Sequence, residues 1–328
     1  MRFLGFFAIL LQFLTAAPAR AQALWEMATE YPQNTMPGLG LTTFAKTLAR
    51  NSNGLLRVQP LFEGERGLRS ATMLTAISEG RIQGGDAFSG ALEAEDPVFA
   101  LPSLPYLATS IPDAHRLADL TRPFLQAALA KKGQRLLYLV PWPPSGIWSK
   151  QALQSRADLR QLSIRTYDST SSTVLSGTGA RAVVISYSDT MERLRDGGIN
   201  AVLSSGDGGA GRKLWEYLPF FSETNYSLPL SVASLSGAAY DSLTPELRSA
   251  VDSAADETEA SLWQALEGRL EENYKRMREN GVKIAVKPPA DVMEALKSSA
   301  IPVQQAWCTR AGPKTCKGIL DPYNAGTK

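Results

Sequence analysis

Pro141-Trp142-Pro143-Pro144-Ser145-Gly146 divides the chain. Two adjacent prolines and a glycine bar both helix and central strand, so the segment predicts a crossing between two structural units. Before it, short β-like runs at 25–29, 55–62, 82–88 and 135–142 alternate with helical stripes at 38–51, 68–79 and 112–132. After it, strands at 162–167, 181–186 and 199–204 alternate with helices at 169–177, 188–196 and 212–218. This alternation predicts an α/β fold with mostly parallel strands. The run 226–239 is β-like, is broken by Pro229, and reads as the return crossing.

The strongest helix signal comes next. Thr244-Pro245 supplies an N-cap and a first-turn proline. Leu247, Val251, Ala255, Thr258, Leu262, Leu266, Leu270, Tyr274 and Met277 then recur every three or four residues, and Gly281 ends the run. A straight helix of that length spans roughly 54 Å, more than one small domain. Two shorter helices bent at Gly268, or a coiled coil, are the alternatives to one helix bracing two lobes. The segments 282–286 and 289–306 complete the expected order.

Arg2, an apolar run over 3–17 and Ala19-Arg20-Ala21 form the pattern of a cleaved secretory signal peptide, with the cut after Ala21. The cut leaves 307 of 328 residues with 32 basic and 32 acidic side chains. A neutral chain has no electrostatic reason to hold nucleic acid. No other stretch reaches 18 apolar residues, so no membrane span is expected in the mature chain. Cys308 and Cys316, eight apart, are expected to pair in an oxidising compartment. As a zinc site they lack further ligands nearby.

Enzyme signatures are weak. His115 is the only histidine, which argues against a His-based metal centre or a Ser-His-Asp triad; no metal site and no cofactor are expected. Neither G-x-S-x-G nor H-E-x-x-H occurs. Gly206-Asp207-Gly208-Gly209-Ala210-Gly211 matches G-x-G-x-x-G, but a tight turn between strand and helix explains it equally well. Glu93/Glu95/Asp96 and Glu271/Glu272 read as solvated faces, and a secreted hydrolase built on such acidic residues stays open as an alternative.

A binding site is better marked. Arg165 closes the strand at 162–167, and in open α/β sheets ligands sit beyond the carboxyl ends of strands. Its planar fork suits a carboxylate, and the helix that begins at Asp168-Ser169-Thr170 favours an anion as well. Phe88, Trp142, Trp148, Tyr167, Trp215 and Tyr226 fall at strand ends, at crossings or in the segment after a Gly-rich turn. Each alone is explained by core packing; together they suit an apolar pocket. Ser204 and Ser205 end another strand and offer hydroxyls.

At this point the chain resembles the solute-binding subunits of tripartite ATP-independent periplasmic (TRAP) transporters, a DctP-like family. The resemblance rests on the order of Asn51-Ser52-Asn53-Gly54, Leu104-Pro105-Tyr106-Leu107, Trp148-Ser149-Lys150, Ala157-Asp158-Leu159, Ser163-Ile164-Arg165-Thr166-Tyr167, Leu203-Ser204-Ser205 and Lys213-Leu214-Trp215. It implies a two-lobed periplasmic binding protein with a hinge and a long helix spanning both lobes. On that pattern 22–142 plus 230–270 form lobe I, and 143–229 plus 271–328 form lobe II. The expected function is non-enzymatic capture of a small organic carboxylate by lobe closure, then delivery to small and large integral membrane subunits. The binding subunit of an ATP-driven transporter is a further alternative. Arg165 matches the family's carboxylate-binding arginine; Tyr31, Asn34, Phe88, Trp148, Tyr167, Ser204, Ser205 and Trp215 are the expected companions. Gln161 and Ser163 replace the glycine and lysine usual before the arginine, and Gly198-Ile199-Asn200-Ala201 departs from the family's Gly-Val-Val-Asp-Gly. Trp148 stands where many members carry a second arginine. One cation among aromatics implies a monocarboxylate with an apolar or aromatic body.

Overall fold

A computed structural model describes residues 23–326; the signal peptide expected at 1–21 lies outside them. The chain first lays down β1 (Ala23–Thr29), β2 (Leu56–Leu61), β3 (Gly84–Phe88) and β4 (Gln134–Pro141). It crosses at Trp142-Pro143-Pro144 and builds β5 (Ser145–Ser149), β6 (Ser163–Thr166), β7 (Arg181–Val184), β8 (Ala201–Ser205) and β9 (Phe220–Ser222). It then returns with β10 (Leu230–Ser236) and crosses once more to β11 (Lys283–Ala285). Among the described residues two sheets result, ordered β2-β1-β3-β10-β4 and β11-β9-β5-β8-β6-β7. Pairing is parallel except around β10 and β5, the strands laid down directly after a crossing.

The two crossing segments are tied together. Ser145 N donates to Ser227 O at 2.8 Å, Tyr226 N to Ser145 O at 2.8 Å, and Trp142 N to Pro229 O at 3.0 Å. Proline prevents either segment from continuing a ladder, so the pair forms a short waist between two cores. One side of the first sheet buries Met73, Phe99, Leu125 and Leu139; the other buries Met27, Leu41, Phe44 and Leu262. Ile147, Ile164, Val174 and Leu203 fill one face of the second sheet.

The long late helix is a single element, Pro245–Glu279, capped by the Thr244 hydroxyl accepting from Leu247 N. It records no break at Gly268, where a bend was one of the expectations. Leu262 and Leu266 bury in the first lobe's core and Met277 in a core of the second, so this one helix braces both. The C-terminal helical segment Ala290–Ala325 is interrupted at Gly312, with φ 79° in the left-handed region that glycine adopts freely. Val292 to Val303 pack on the second lobe, whereas Trp307, Ile319 and Tyr323 bury in the first lobe's core. Assigning all of 271–328 to lobe II therefore does not describe its last turns. Cys308 and Cys316 form a disulfide within this segment.

The helix expected at 212–218 is displaced. The helical turn is Gly206–Gly211 itself, followed by a short 3-10 turn at Leu214–Glu216. Its glycines serve close packing: a Cβ on Gly209 would stand 2.2 Å from the Trp148 ring, and one on Gly208 would stand 2.5 Å from Ser204 Oγ. Asp207, fully buried, accepts from Met36 N at 2.8 Å, Arg269 Nε at 2.6 Å and Asn273 Nδ2 at 3.1 Å. It thereby ties the first lobe to the second and both to the long helix. Packing and bracing thus account for every part of the motif. Among the described residues no group of three or more His, Cys, Asp or Glu side chains is placed to hold a metal ion, and no helix is long and apolar enough to cross a membrane.

Candidate functional site

Five strands deliver their carboxyl ends to one gap between the sheets: β1 leads to Glu30 and Tyr31, β3 to Phe88, β6 to Arg165 and Tyr167, β7 to Ile185 and Tyr187, and β8 to Ser204 and Ser205. The gap holds a cavity of about 430 Å³, and beside it a smaller hollow of about 30 Å³ that shares Tyr31, Phe88, Arg165, Tyr167 and Tyr187 with it. Trp142, Ser145, Ser204, Ser205, Gly208 and Pro229 complete the smaller one.

Arg165 sits in the middle of this wall. It is only 4% exposed. Two backbone carbonyls orient it: Nε donates to Ile185 O at 2.8 Å and Nη1 to Leu203 O at 3.3 Å. None of the ion pairs among the described residues involves it; the carboxylate whose charge acts on it is that of Glu30. Burial therefore pulls its pKa below the usual arginine value, only partly offset by Tyr31, Glu30, Tyr187 and Tyr167. A desolvated guanidinium without a counter-ion is costly, and an anion that enters the hollow repays that cost with charge-assisted hydrogen bonds.

The aromatic residues form a box around it. Tyr31 meets Trp142 edge-on at 4.8 Å and Tyr187 at 4.6 Å, and Phe88 meets Tyr167 at 4.8 Å. Several polar tips are engaged elsewhere. Tyr187 Oη donates to Gly208 O at 2.6 Å, Trp142 Nε1 donates to Ser231 Oγ at 3.0 Å, and Tyr167 Oη shares a hydrogen bond with Ser227 Oγ at 2.9 Å. Burial raises the pKa of Tyr31, Tyr167 and Tyr187 well above the ordinary phenol value, so these rings stay neutral. The rings with their tips tied back contribute apolar surface, and Arg165 is the buried cation of the wall; Arg69 and Arg310 also border the larger cavity, each held by a carboxylate.

Glu30 spans the gap: its two oxygens accept from Ser70 N on the first lobe and Ser188 N on the second, each at 2.9 Å. Arg69 pairs with Asp189 at 3.1 Å, Arg212 with Glu63 at 3.4 Å, and Ser169 hydrogen-bonds Glu93, which also pairs with Arg310. These contacts join the lobes around the cavity, so the structure is a closed form.

Of the residues expected at the site, Arg165, Tyr167, Phe88, Tyr31, Ser204 and Ser205 line the cavity or its hollow. Trp148, Trp215 and Asn34 do not. Adjacent residues of a strand point to opposite faces, so Ile147 enters the core beside the gap while Trp148 turns away to Phe221 and Met277. Trp148 Nε1 donates to Ser205 O at 3.3 Å from behind. Trp215 packs on that same rear cluster, and the Asn34 carbonyl accepts from Arg269 at the long helix. Glu30 and Tyr187 were absent from the expected set; their position just past β1 and β7 was the available signal. His115 is remote, its ring 4.4 Å from Trp263, and Glu95 and Asp96 pair separately with Lys132 and Lys131.

The family model of DctP, bacterial extracellular solute-binding protein, family 7, matches residues 27–307. Among solved structures, DctP7, a Bordetella pertussis extracytoplasmic solute receptor binding pyroglutamic acid, is 26% identical with a TM-score of 0.88; the match covers 92% of this chain and 99% of that one. A marine metagenome TRAP solute-binding protein specific for pyroglutamate is also 26% identical, with a TM-score of 0.88, covering 93% and 99%. DctPAm of Advenella mimigardefordensis, in complex with galactonate, shares the fold at 18% identity and a TM-score of 0.87, covering 94% and 99%. No curated protein matches the chain.

Proposed function

The chain belongs to the bacterial extracellular solute-binding protein family 7, and from that premise we propose that it captures a compact monocarboxylate with an apolar or ring-shaped body. One observation carries this reading: the buried Arg165 has no anionic partner among the described residues and borders a cavity between two lobes. The carboxylate enters the small hollow beside Arg165, with Ser204 and Ser205 at its rim. The body of the ligand lies among Tyr31, Phe88, Trp142, Tyr167 and Tyr187. Both lobes contribute to that lining, so a ligand that touches both favours the closed state. The three receptors that resemble this chain at 26% identity bind pyroglutamate, a small cyclic monocarboxylate of this form.

The protein acts in the periplasm as a receptor without catalysis of its own and hands its ligand to small and large integral membrane subunits. Lobe I comprises 22–142 plus 230–270 and lobe II comprises 143–229 plus most of 271–328; the strand membership of the two sheets supports that division.

A thermal-shift screen of the mature chain against L-pyroglutamate, other ring monocarboxylates, open-chain dicarboxylates and sugar acids tests the reading. A true ligand at one hundred times its dissociation constant stabilises the protein by about 2.7 kcal/mol. Stabilisation by dicarboxylates or sugar acids, with none by ring monocarboxylates, refutes the proposed ligand class.

A further inference from the structure

Asp168 and Gly90 border the cavity, and behind that edge the lobes meet at a contact whose polar atoms are sealed from solvent. Asp168 caps the helix Ser169–Gly177 on the second lobe, its Oδ1 accepting from Ser171 N at 2.7 Å. Its Oδ2 is sealed from solvent and has no hydrogen-bond partner of normal geometry. Ser103 of the first lobe presents a hydroxyl oxygen in the same condition. The two converge on Gly90: a Cβ there would stand 2.4 Å from Asp168 Oδ2 and 2.7 Å from Ser103 Oγ. No water-sized group reaches Oδ2 from the cavity, so neither ligand nor solvent satisfies it in the closed form. Separation of the lobes removes Gly90, Phe88 and Ser103 and returns this carboxyl to water.

We propose that Asp168 makes lobe closure proton-coupled: one proton from solvent binds Oδ2 as the lobes meet, and the resulting hydroxyl donates to Ser103 Oγ. The inference rests on the closure reading above. The charged groups around Asp168 agree with it. Glu93, from the turn after β3, adds negative charge and is itself held by Ser169 and Arg310. Tyr167 on the adjoining strand end and Tyr226 on the return crossing are neutral neighbours. Burial, against the opposing hydrogen bonds of Ser171, lifts the closed-state carboxyl from an ordinary 3.8 to about 6. A group whose pKa rises on closure favours closure as pH falls. Ligand affinity therefore strengthens on acidification, although Asp168 Oδ2 never touches the ligand.

The test is calorimetric titration with L-pyroglutamate at pH 5.0, 6.0 and 7.5, on the mature chain and on Asp168→Asn. The variant keeps the Oδ1 acceptor that caps the helix and cannot titrate. The expected result is binding about tenfold tighter at pH 5.0 than at pH 7.5 in the parent chain and no pH dependence in the variant. A flat parent profile, or a slope that survives in Asp168→Asn, overturns the proposal. Small-angle scattering of the ligand-free chain gives an independent readout. The parent is expected to become more compact on acidification and Asp168→Asn is not, and equal behaviour of the two overturns the proposal. Compaction without L-pyroglutamate binding at any pH supports the proton coupling while counting against the ligand class.

Discussion

Gly90→Ala probes the seam on which the lobes close. Gly90 does not adopt a left-handed φ, so alanine imposes no backbone strain in the open protein. In the closed form the new methyl stands 2.4 Å from Asp168 Oδ2, 2.7 Å from Phe88 Cε1 and 2.7 Å from Ser103 Oγ. Ordinary contact requires the carboxyl to retreat by about an ångström. Asp168 cannot do so freely, because its other oxygen is fixed on Ser171 N and its backbone begins a helix. Overpacking of this kind costs about 1–3 kcal/mol. The Phe88 and Ser103 contacts lie within the first lobe and persist in both forms; the Asp168 contact arises only on closure, and about 1 kcal/mol of the cost assigned to it reduces apparent affinity about 5-fold, since apparent affinity scales with the closure-competent fraction. Calorimetry with a ligand found by the thermal-shift screen measures this, and a fall in the ligand-free melting temperature measures the part of the cost that lies within the first lobe. Unchanged affinity refutes the reasoning, because it means that the lobes bind ligand without bringing Asp168 against Gly90.

Two further outcomes follow from buried charges away from the ligand. Burial raises the Asp86 carboxyl to about 8, so the folded state holds a proton that the unfolded chain has lost above about 3.8; stability then falls as pH rises from about 4 toward 8, and Asp86→Asn is expected to flatten that decline in urea midpoints, a decline unchanged by the substitution contradicting the assignment. Asp207→Ala leaves Arg269, Asn273 and the Met36 amide without their shared acceptor and is expected to cost about 3–5 kcal/mol in urea unfolding, a loss below 1 kcal/mol showing that the brace is dispensable.

Local chemistry made most of the architecture legible in the sequence. Proline at 141, 143 and 144 bars regular structure wherever it occurs, and the periodic stripe from Leu247 to Met277 needs no partner to be recognised. The short strand β5 was hidden because it follows those prolines directly, and its pairing with β8 and β9 is a long-range event. The helical turn at Gly206–Gly211 was hidden by glycine's poor helix propensity, which contact with Trp148 overrides. At the site, Arg165 was legible from its place at a strand end. Trp148 and Trp215 were not placed correctly because face depends on register, and aromatic composition carries no register. Glu30 and Asp168 act through partners on the opposite lobe more than 60 positions away, which spacing along the chain does not reveal.

The central claim is that the guanidinium of Arg165 waits for a carboxylate. Calorimetric titration of Arg165→Gln against the parent chain, with the same ligand and buffer, tests it most directly. Loss of at least tenfold in affinity, about 1.4 kcal/mol, with an unchanged or raised melting temperature in the absence of ligand, is the expected result. Equal affinity in the two proteins contradicts the account.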